Sequence, residues 1–284
     1  MKKNIFMLVV SVCIWLNPLF AASTDSMQIK GSDTMVNLVQ SWAEEYMNIN
    51  HDDFIAVTGG GSGTGIASLI SGTCDIAMSS REIKTKEIDM AKQRGIEPHE
   101  MKVALDGLAV VVNPKNPVDK LTINQLADIF TGRIKNWKEL NGPDQKIVIL
   151  SREVNSGTHV YFKEHVLRNN DTASKKEFAP SALLLSSSQA IADEIASNPA
   201  AIGYYGMGYI SKAQKAIAVA KDARSAYITP TIDNVIDGKY PISRPLFFYT
   251  KGLPQGIVKS FIDFILSSKG QEIVIDTDFV PIKR

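Results

Sequence analysis

Three times along the chain a short apolar run gives way to a loop of Gly, Ser and Thr, after which apolar residues recur at helical spacing. Met27-Ile29 leads through Gly31-Ser32-Asp33-Thr34 to Met35, Leu38, Val39, Trp42, Ala43 and Tyr46. Phe54-Val57 leads through Gly59-Gly65 to Ile66, Leu69 and Ile70. Ile147-Leu150 leads through Ser151-Arg152-Glu153-Val154-Asn155-Ser156-Gly157-Thr158 to Val160, Tyr161, Phe162, His165 and Val166. Each pattern predicts a strand that ends at a helix amino terminus, the place where open α/β sheets bind ligands.

Two further runs read as crossings between lobes. Leu108-Val112, closed by Asn113-Pro114, is continuously apolar, as expected of a strand covered on both faces. Pro241-Tyr249 is the second, followed by Ile257, Val258, Phe261, Ile262, Ile265 and Leu266 on one helical face. Other helices are predicted from Thr122 to Thr131-Gly132 and from Ser188 to Asn198-Pro199. The expected fold is α/β in two lobes, each a mixed β-sheet flanked by helices, with two hinge crossings. The first lobe is expected at 26–108 plus 245–284 and the second at 109–244.

Composition narrows the class. The 284 residues carry 31 Lys+Arg against 30 Asp+Glu, with 44% apolar and 21% charged residues. That balance excludes a disordered chain and gives no basic excess for nucleic acid. Lys2 and Lys3 before the apolar run Ile5-Leu16, then Asn17-Pro18 and Ala21-Ala22, predict a secretory leader over 1–22 and hence a periplasmic location. Its loss removes Cys13, so Cys74 remains alone, with no disulfide partner, as a buried inert thiol.

The loops are suited to a small anion. Helix amino termini present unpaired N–H groups, and glycine admits close backbone approach. Hydroxyls of Ser32, Thr34, Ser62, Thr64, Ser80, Ser156 and Thr158 add donors, and Arg81 and Arg152 add charge. The expected ligand is small, tetrahedral and negative. Ser32, Asp33 and Ser156 are also the residue types that cap helices. The histidines His51, His99, His159 and His165 lack helical zinc spacing, and no metal or cofactor is expected. Ser156 and His159, three apart, are not a triad, and Gly59-Gly65 does not meet a nucleotide-binding pattern.

Taken as a set, Gly31-Met35, Gly59-Ile66, Asp75-Arg81 and Arg152-Thr158 resemble the signature loops of the PstS family, the phosphate-binding proteins of bacterial ABC importers. Leu126-Gly132, Asn198-Tyr204 and Tyr240-Leu246 add to the similarity, which runs over the whole chain after the leader. The resemblance implies a type II periplasmic binding-protein fold that closes on inorganic phosphate and delivers it to a membrane ABC permease, without catalysis. It places phosphate at Asp33 and Thr34, at Ser62, Gly63 and Thr64, at Ser80, and at Arg152, Ser156, Gly157 and Thr158. Ser32 and Arg81 flank these positions and complete the expected site. A monomer is expected. Where longer members carry an aspartate that accepts the proton of bound phosphate, this chain has Ser80 followed by Arg81. Asp33 is the candidate replacement, with helix capping as its alternative. Sulfate, molybdate or another oxyanion, and a phosphate sensor or adhesin, are the competing readings.

Overall fold

The three expected strand–loop–helix units are present. The computed structural model describes residues 25–282, so the leader expected at 1–22 lies outside the described residues. β1 (Ser26–Gly31) leads through a 3-10 turn (Asp33–Met35) into α1 (Val36–Ile49), and β2 (Phe54–Thr58) leads into α2 (Ser62–Ser71). β3 (Ile76–Ser79), α3 (Thr85–Gln93) and β4 (His99–Val112) follow, then β5 (Lys120–Thr122) and α4 (Ile123–Phe130). The third unit is β6 (Val148–Arg152) with α5 (Gly157–Phe162), succeeded by β7 (Leu183–Leu185), α6 (Ser188–Ser197) and β8 (Ala201–Gly206). The chain ends through β9 (Lys215–Ala216), β10 (Ala218–Ala220), α7 (Ile232–Ile236), β11 (Ser243–Thr250), α8 (Gly256–Ile265) and α9 (Ser268–Asp276).

The main sheet runs β2-β1-β3-β11-β4-β8-β6-β7, with β9 also on β4. β1 is parallel to β2 and β3, whereas β11 is antiparallel to both β3 and β4. The first part of β4, His99–Gly107, pairs with β11, and its last five residues, Leu108–Val112, pair with β8. β4 therefore carries the chain from one half of the molecule to the other. Around one half packs a core of Met27, Trp42, Phe248, Phe261 and Val274; around the other packs one of Phe130, Trp137, Phe162, Tyr204 and Tyr240. These are the two lobes. The carboxyl-terminal helices lie against the first, where Trp42 Nε1 donates to Gly270 O at 2.7 Å.

Several elements differ from their sequence pattern. β4 begins at His99, well before the apolar run, because residues 99–103 alternate between exposed and covered positions as a half-solvated strand does. Ser151 and Arg152 lie within β6 rather than in the loop after it. The helix after Gly157 widens into a π turn over Lys163–Leu167. Cys74 is buried, and burial with the nearby Asp75 pushes its thiol up to about 11, which makes it a poor nucleophile at neutral pH.

The first two units are held at close quarters. A Cβ on Gly65 of α2 would lie 2.4 Å from Lys30 O and 2.5 Å from the Gly31 Cα, so only glycine lets α2 seat against β1. Alanine is the better helix former by about 1 kcal/mol, but overpacking against rigid backbone costs about 1–3 kcal/mol and dominates. Gly65→Ala is expected to lower the unfolding free energy by about 2 kcal/mol in urea titration; an unchanged midpoint would show that α2 shifts freely on the sheet.

Candidate functional site

The loops after β1, β2, β3 and β6 meet in one buried place. Ser32 Oγ donates to Ser80 Oγ at 2.9 Å, Ser62 Oγ lies 3.3 Å from Ser80 Oγ, and the Ser80 amide donates to Ser62 Oγ at 3.0 Å. A second pair forms across the lobes, with Thr34 Oγ1 2.8 Å from Thr158 Oγ1. Gly157 opens α5 against the serine group: a Cβ there would stand 2.3 Å from Ser62 Oγ and 2.6 Å from Ser80 Oγ. Ser32, Thr34, Ser62, Ser80 and Thr158 are all buried. The Ser156 hydroxyl turns inward as the cap of α5, accepting from the amides of Thr158 and His159.

The charged side chains divide differently from what the sequence suggests. Arg152 is buried, but its guanidinium donates to Leu185 O, Ser186 O and Ser188 Oγ and pairs with Asp33 at 3.2 Å. Asp33 Oδ2 also accepts the Ser188 amide at 2.8 Å. Its carboxylate thus caps a helix, though the helix is α6 across the cleft rather than the turn it begins. Arg81 forms a two-pronged pair with Glu87 of α3, at 2.6 and 2.8 Å, and donates to Glu82 O. That pairing and the Lys84 amide hold the Glu87 carboxyl below its usual range, against the opposing and largest effect of burial.

The guanidinium that does meet the hydroxyl cluster is Arg244 of β11. It donates to Ser80 O at 3.0 Å and Thr158 Oγ1 at 2.9 Å, and it is paired with Asp106 of β4 at 2.8 and 3.1 Å. Asp106 is fully buried and also accepts the Met207 amide; burial raises its carboxyl pKa, opposed by Arg244. Neither residue stood among the sequence candidates. The available signal was one acid and one base interrupting otherwise covered strands, Val103–Val112 and Ser243–Thr250.

At the rim, Gly63 and Thr64 face Asn155 rather than the serine cluster. The Gly63 amide donates to Asn155 O at 3.0 Å, and Asn155 Nδ2 donates to Gly60 O at 2.9 Å and reaches Thr64 Oγ1 at 3.4 Å. Tyr209 OH donates to Asp33 O on the opposite flank. The site as a whole assembles hydroxyls, a helix start from each lobe and a guanidinium. Its chemistry is donation of hydrogen bonds to oxygen atoms from several directions. The His159 Nδ1 lies 2.8 Å from Arg152 O and 3.3 Å from Ser151 Oγ, so that ring nitrogen is turned to β6 rather than to Ser156.

Two lobes of mixed sheet joined by crossing strands, with a buried polar cluster between them, define a binding protein of the periplasmic type, and residues 20–269 match the PBP superfamily domain. Within that class the chain is 35% identical to phosphate-binding protein PstS of Bacillus subtilis, over 92% of this chain and 82% of that protein. It is 30% identical to phosphate-binding protein PstS of Pseudomonas aeruginosa, over 89% and 81%. The chain belongs to the PstS family. Its fold matches that of a putative phosphate ABC transporter substrate-binding protein from Clostridium perfringens, solved with bound phosphate, with a TM-score of 0.81, 34% identity, and coverage of 91% of this chain and all of that one. An ABC-type phosphate transport receptor from Vibrio cholerae matches with a TM-score of 0.70 and 32% identity, over 90% of this chain and all of that one.

The histidine behind the site makes the fold sensitive to acid. Burial holds the His159 imidazole below its ordinary 6.5, and the Arg152 carbonyl opposes this only in part; Lys163, Glu177 and Lys84 act on it more weakly. His165 is lowered in the same sense. At these two histidines the unfolded chain therefore binds protons that the folded chain refuses, and their contribution to stability is lost as pH drops below about 6.5. The histidine contribution to the unfolding free energy should decline from about pH 7.5 to about pH 5.5. His159→Gln should flatten that slope in urea titrations at the two pH values; an equal slope would exclude His159 as its source.

Proposed function

We propose that this protein is an extracytoplasmic solute-binding protein that captures inorganic phosphate between its lobes and passes it to an ABC permease without chemical turnover. The observation that carries the reading is the contact of buried hydroxyls from both lobes beside one guanidinium. Nothing in folding a lobe requires it, whereas a ligand with four oxygens needs donors on every side. Support comes from the phosphate-binding relatives over most of the chain.

In this reading Ser32, Thr34, Ser62, Ser80, Gly157 and Thr158 supply donors to the ligand. Ser156 holds the start of α5, and Gly63 and Thr64 close the rim through Asn155. Asp33 and Arg152 clasp the lobes, with Arg81 braced on α3. The lobes divide at 26–108 with 245–284, and at 109–244. The leader at 1–22 is cleaved on export, and the monomer is the transporting form. Among the described residues no helix is long and apolar enough to cross a membrane.

Calorimetric titration of the purified protein tests the ligand. Phosphate should bind at micromolar Kd or tighter, about 8 kcal/mol, and sulfate at least a hundredfold more weakly. Tighter sulfate binding would replace phosphate by another oxyanion. Gly157→Val should weaken phosphate by at least thirtyfold, about 2 kcal/mol, because its side chain occupies the space of the Ser62 and Ser80 hydroxyls. Retained affinity would show that the two loops need not approach.

The clasp has its own test. Asp33→Asn keeps an acceptor for the Ser188 amide but removes the charge facing Arg152. Phosphate and sulfate should both weaken by three- to tenfold, about 1 kcal/mol, with their ratio unchanged. A changed ratio would make Asp33 the residue that reads the ligand's proton.

A further inference from the structure

Three arginines lie near the hydroxyl cluster, and their partners separate them. Arg81 is bound to Glu87 and Glu82 O, and Arg152 to Asp33, Leu185 O, Ser186 O and Ser188 Oγ. Arg244 alone among the described arginines donates to a hydroxyl of the cluster. It touches both halves of it, through Ser80 O on one side and Thr158 Oγ1 on the other. A guanidinium has five N–H groups, and the four hydrogen bonds made by Arg244 leave one Nη1 hydrogen still to donate. The side chain is 1% exposed, on a strand rather than a loop, and its ring neighbour Tyr161 stands 5.4 Å away under the guanidinium.

We propose that Arg244 is an anion-contacting residue of this site, and that Asp106, directly opposite it in the β4–β11 ladder, sets its orientation and cancels its charge. The proposal rests on the anion-binding reading above and deepens it. A carboxylate buried beside an anion site disfavours every anion through its charge. What the pair offers the ligand is therefore a fixed direction of donation with little net charge. An anion gains from it only when its oxygens match the whole set of donors, so the pair acts as a filter on ligand identity rather than a general attractor. Arginine suits the position because its planar fork spreads the donors to Asp106, Ser80 and Thr158 over three nitrogens, whereas an ammonium donates from a single point.

The experiment titrates the purified protein and three variants with inorganic phosphate and with sulfate, alongside thermal melting. Arg244→Lys, which keeps the charge and loses the fork, should weaken phosphate at least tenfold. The paired change Asp106→Asn with Arg244→Gln leaves no buried charge unpaired, and should weaken phosphate at least thirtyfold while still melting cooperatively; should it fail to fold, Arg244→Lys decides. Asp106→Asn alone uncovers the guanidinium charge and should tighten sulfate at least tenfold, a gain that no loss of structure produces. Phosphate binding within threefold of the unaltered protein in the Arg244 variants overturns the contact. Unchanged or weaker sulfate binding in Asp106→Asn overturns the charge cancellation. If the unaltered protein itself binds neither ion, the anion-binding reading falls and takes the proposal with it, a result distinct from either.

Discussion

The buried pair of Asp106 and Arg244 is the interaction around which the rest is arranged. The two residues face each other on β4 and β11, the strands through which the lobes communicate. Burying both charges is costly, and a buried ion pair repays its desolvation only when every remaining donor and acceptor is satisfied. Here the Met207 amide, Ser80 O and Thr158 Oγ1 satisfy all of the pair but one Nη1 hydrogen of Arg244. Such a pair adds little net stability but fixes geometry, because sliding one strand against the other would strand both charges. It sits just before the shift in β4–β11 pairing between Leu246 and Phe247, where the ladder by itself defines register least.

The contacts between lobes are of a different kind from those within them. Each lobe has its own apolar core, while the surfaces that meet carry hydroxyl pairs, the Asn155 bonds to the glycine loop and the Asp33 clasp. An ordinary hydrogen bond contributes about 1 kcal/mol net, so the closed arrangement is poised within reach of a ligand that adds several charge-assisted bonds. A predominantly apolar interface of the same size would close permanently and leave a ligand nothing to decide.

How much of this was legible in the sequence depends on what each residue needed to know. Helix starts and stops at Thr122, Thr131 and Asn198 were readable because capping is local. The meeting of the serine and threonine loops was readable as well, since each follows a strand into a helix and open sheets gather such loops at one edge. The direction of charged side chains was not. Arg152 looks unpartnered until Asp33 and Ser188 are brought beside it from distant parts of the chain. Arg81 looks free until Glu87, six residues on and also engaged in starting α3, reaches back to it. Asp106 and Arg244 are each a single charge in a covered strand, and only their register makes them a pair.

The same register says which contacts an opening motion must break. Tyr161 OH donates to Ser243 O, so α5 is tied to the strand that bears Arg244. Ser80 follows β3, which pairs with β11 at Ser79–Phe247. Arg244 is thus moored to Thr158 on one side and Ser80 on the other at the point where relative displacement is smallest. The Asn155 bonds to Gly60 and Gly63 and the Asp33 bonds to Arg152 and Ser188 join the loops without touching either strand. In the lobe closure that phosphate capture calls for, rotation about β4 and β11 would part these bonds. On the proposal made above for Arg244, a guanidinium held at that axis would keep its aim in both arrangements, while the remaining donors would arrive on closure. Recognition would then be divided between a group that is always in place and groups that report whether the fit is complete.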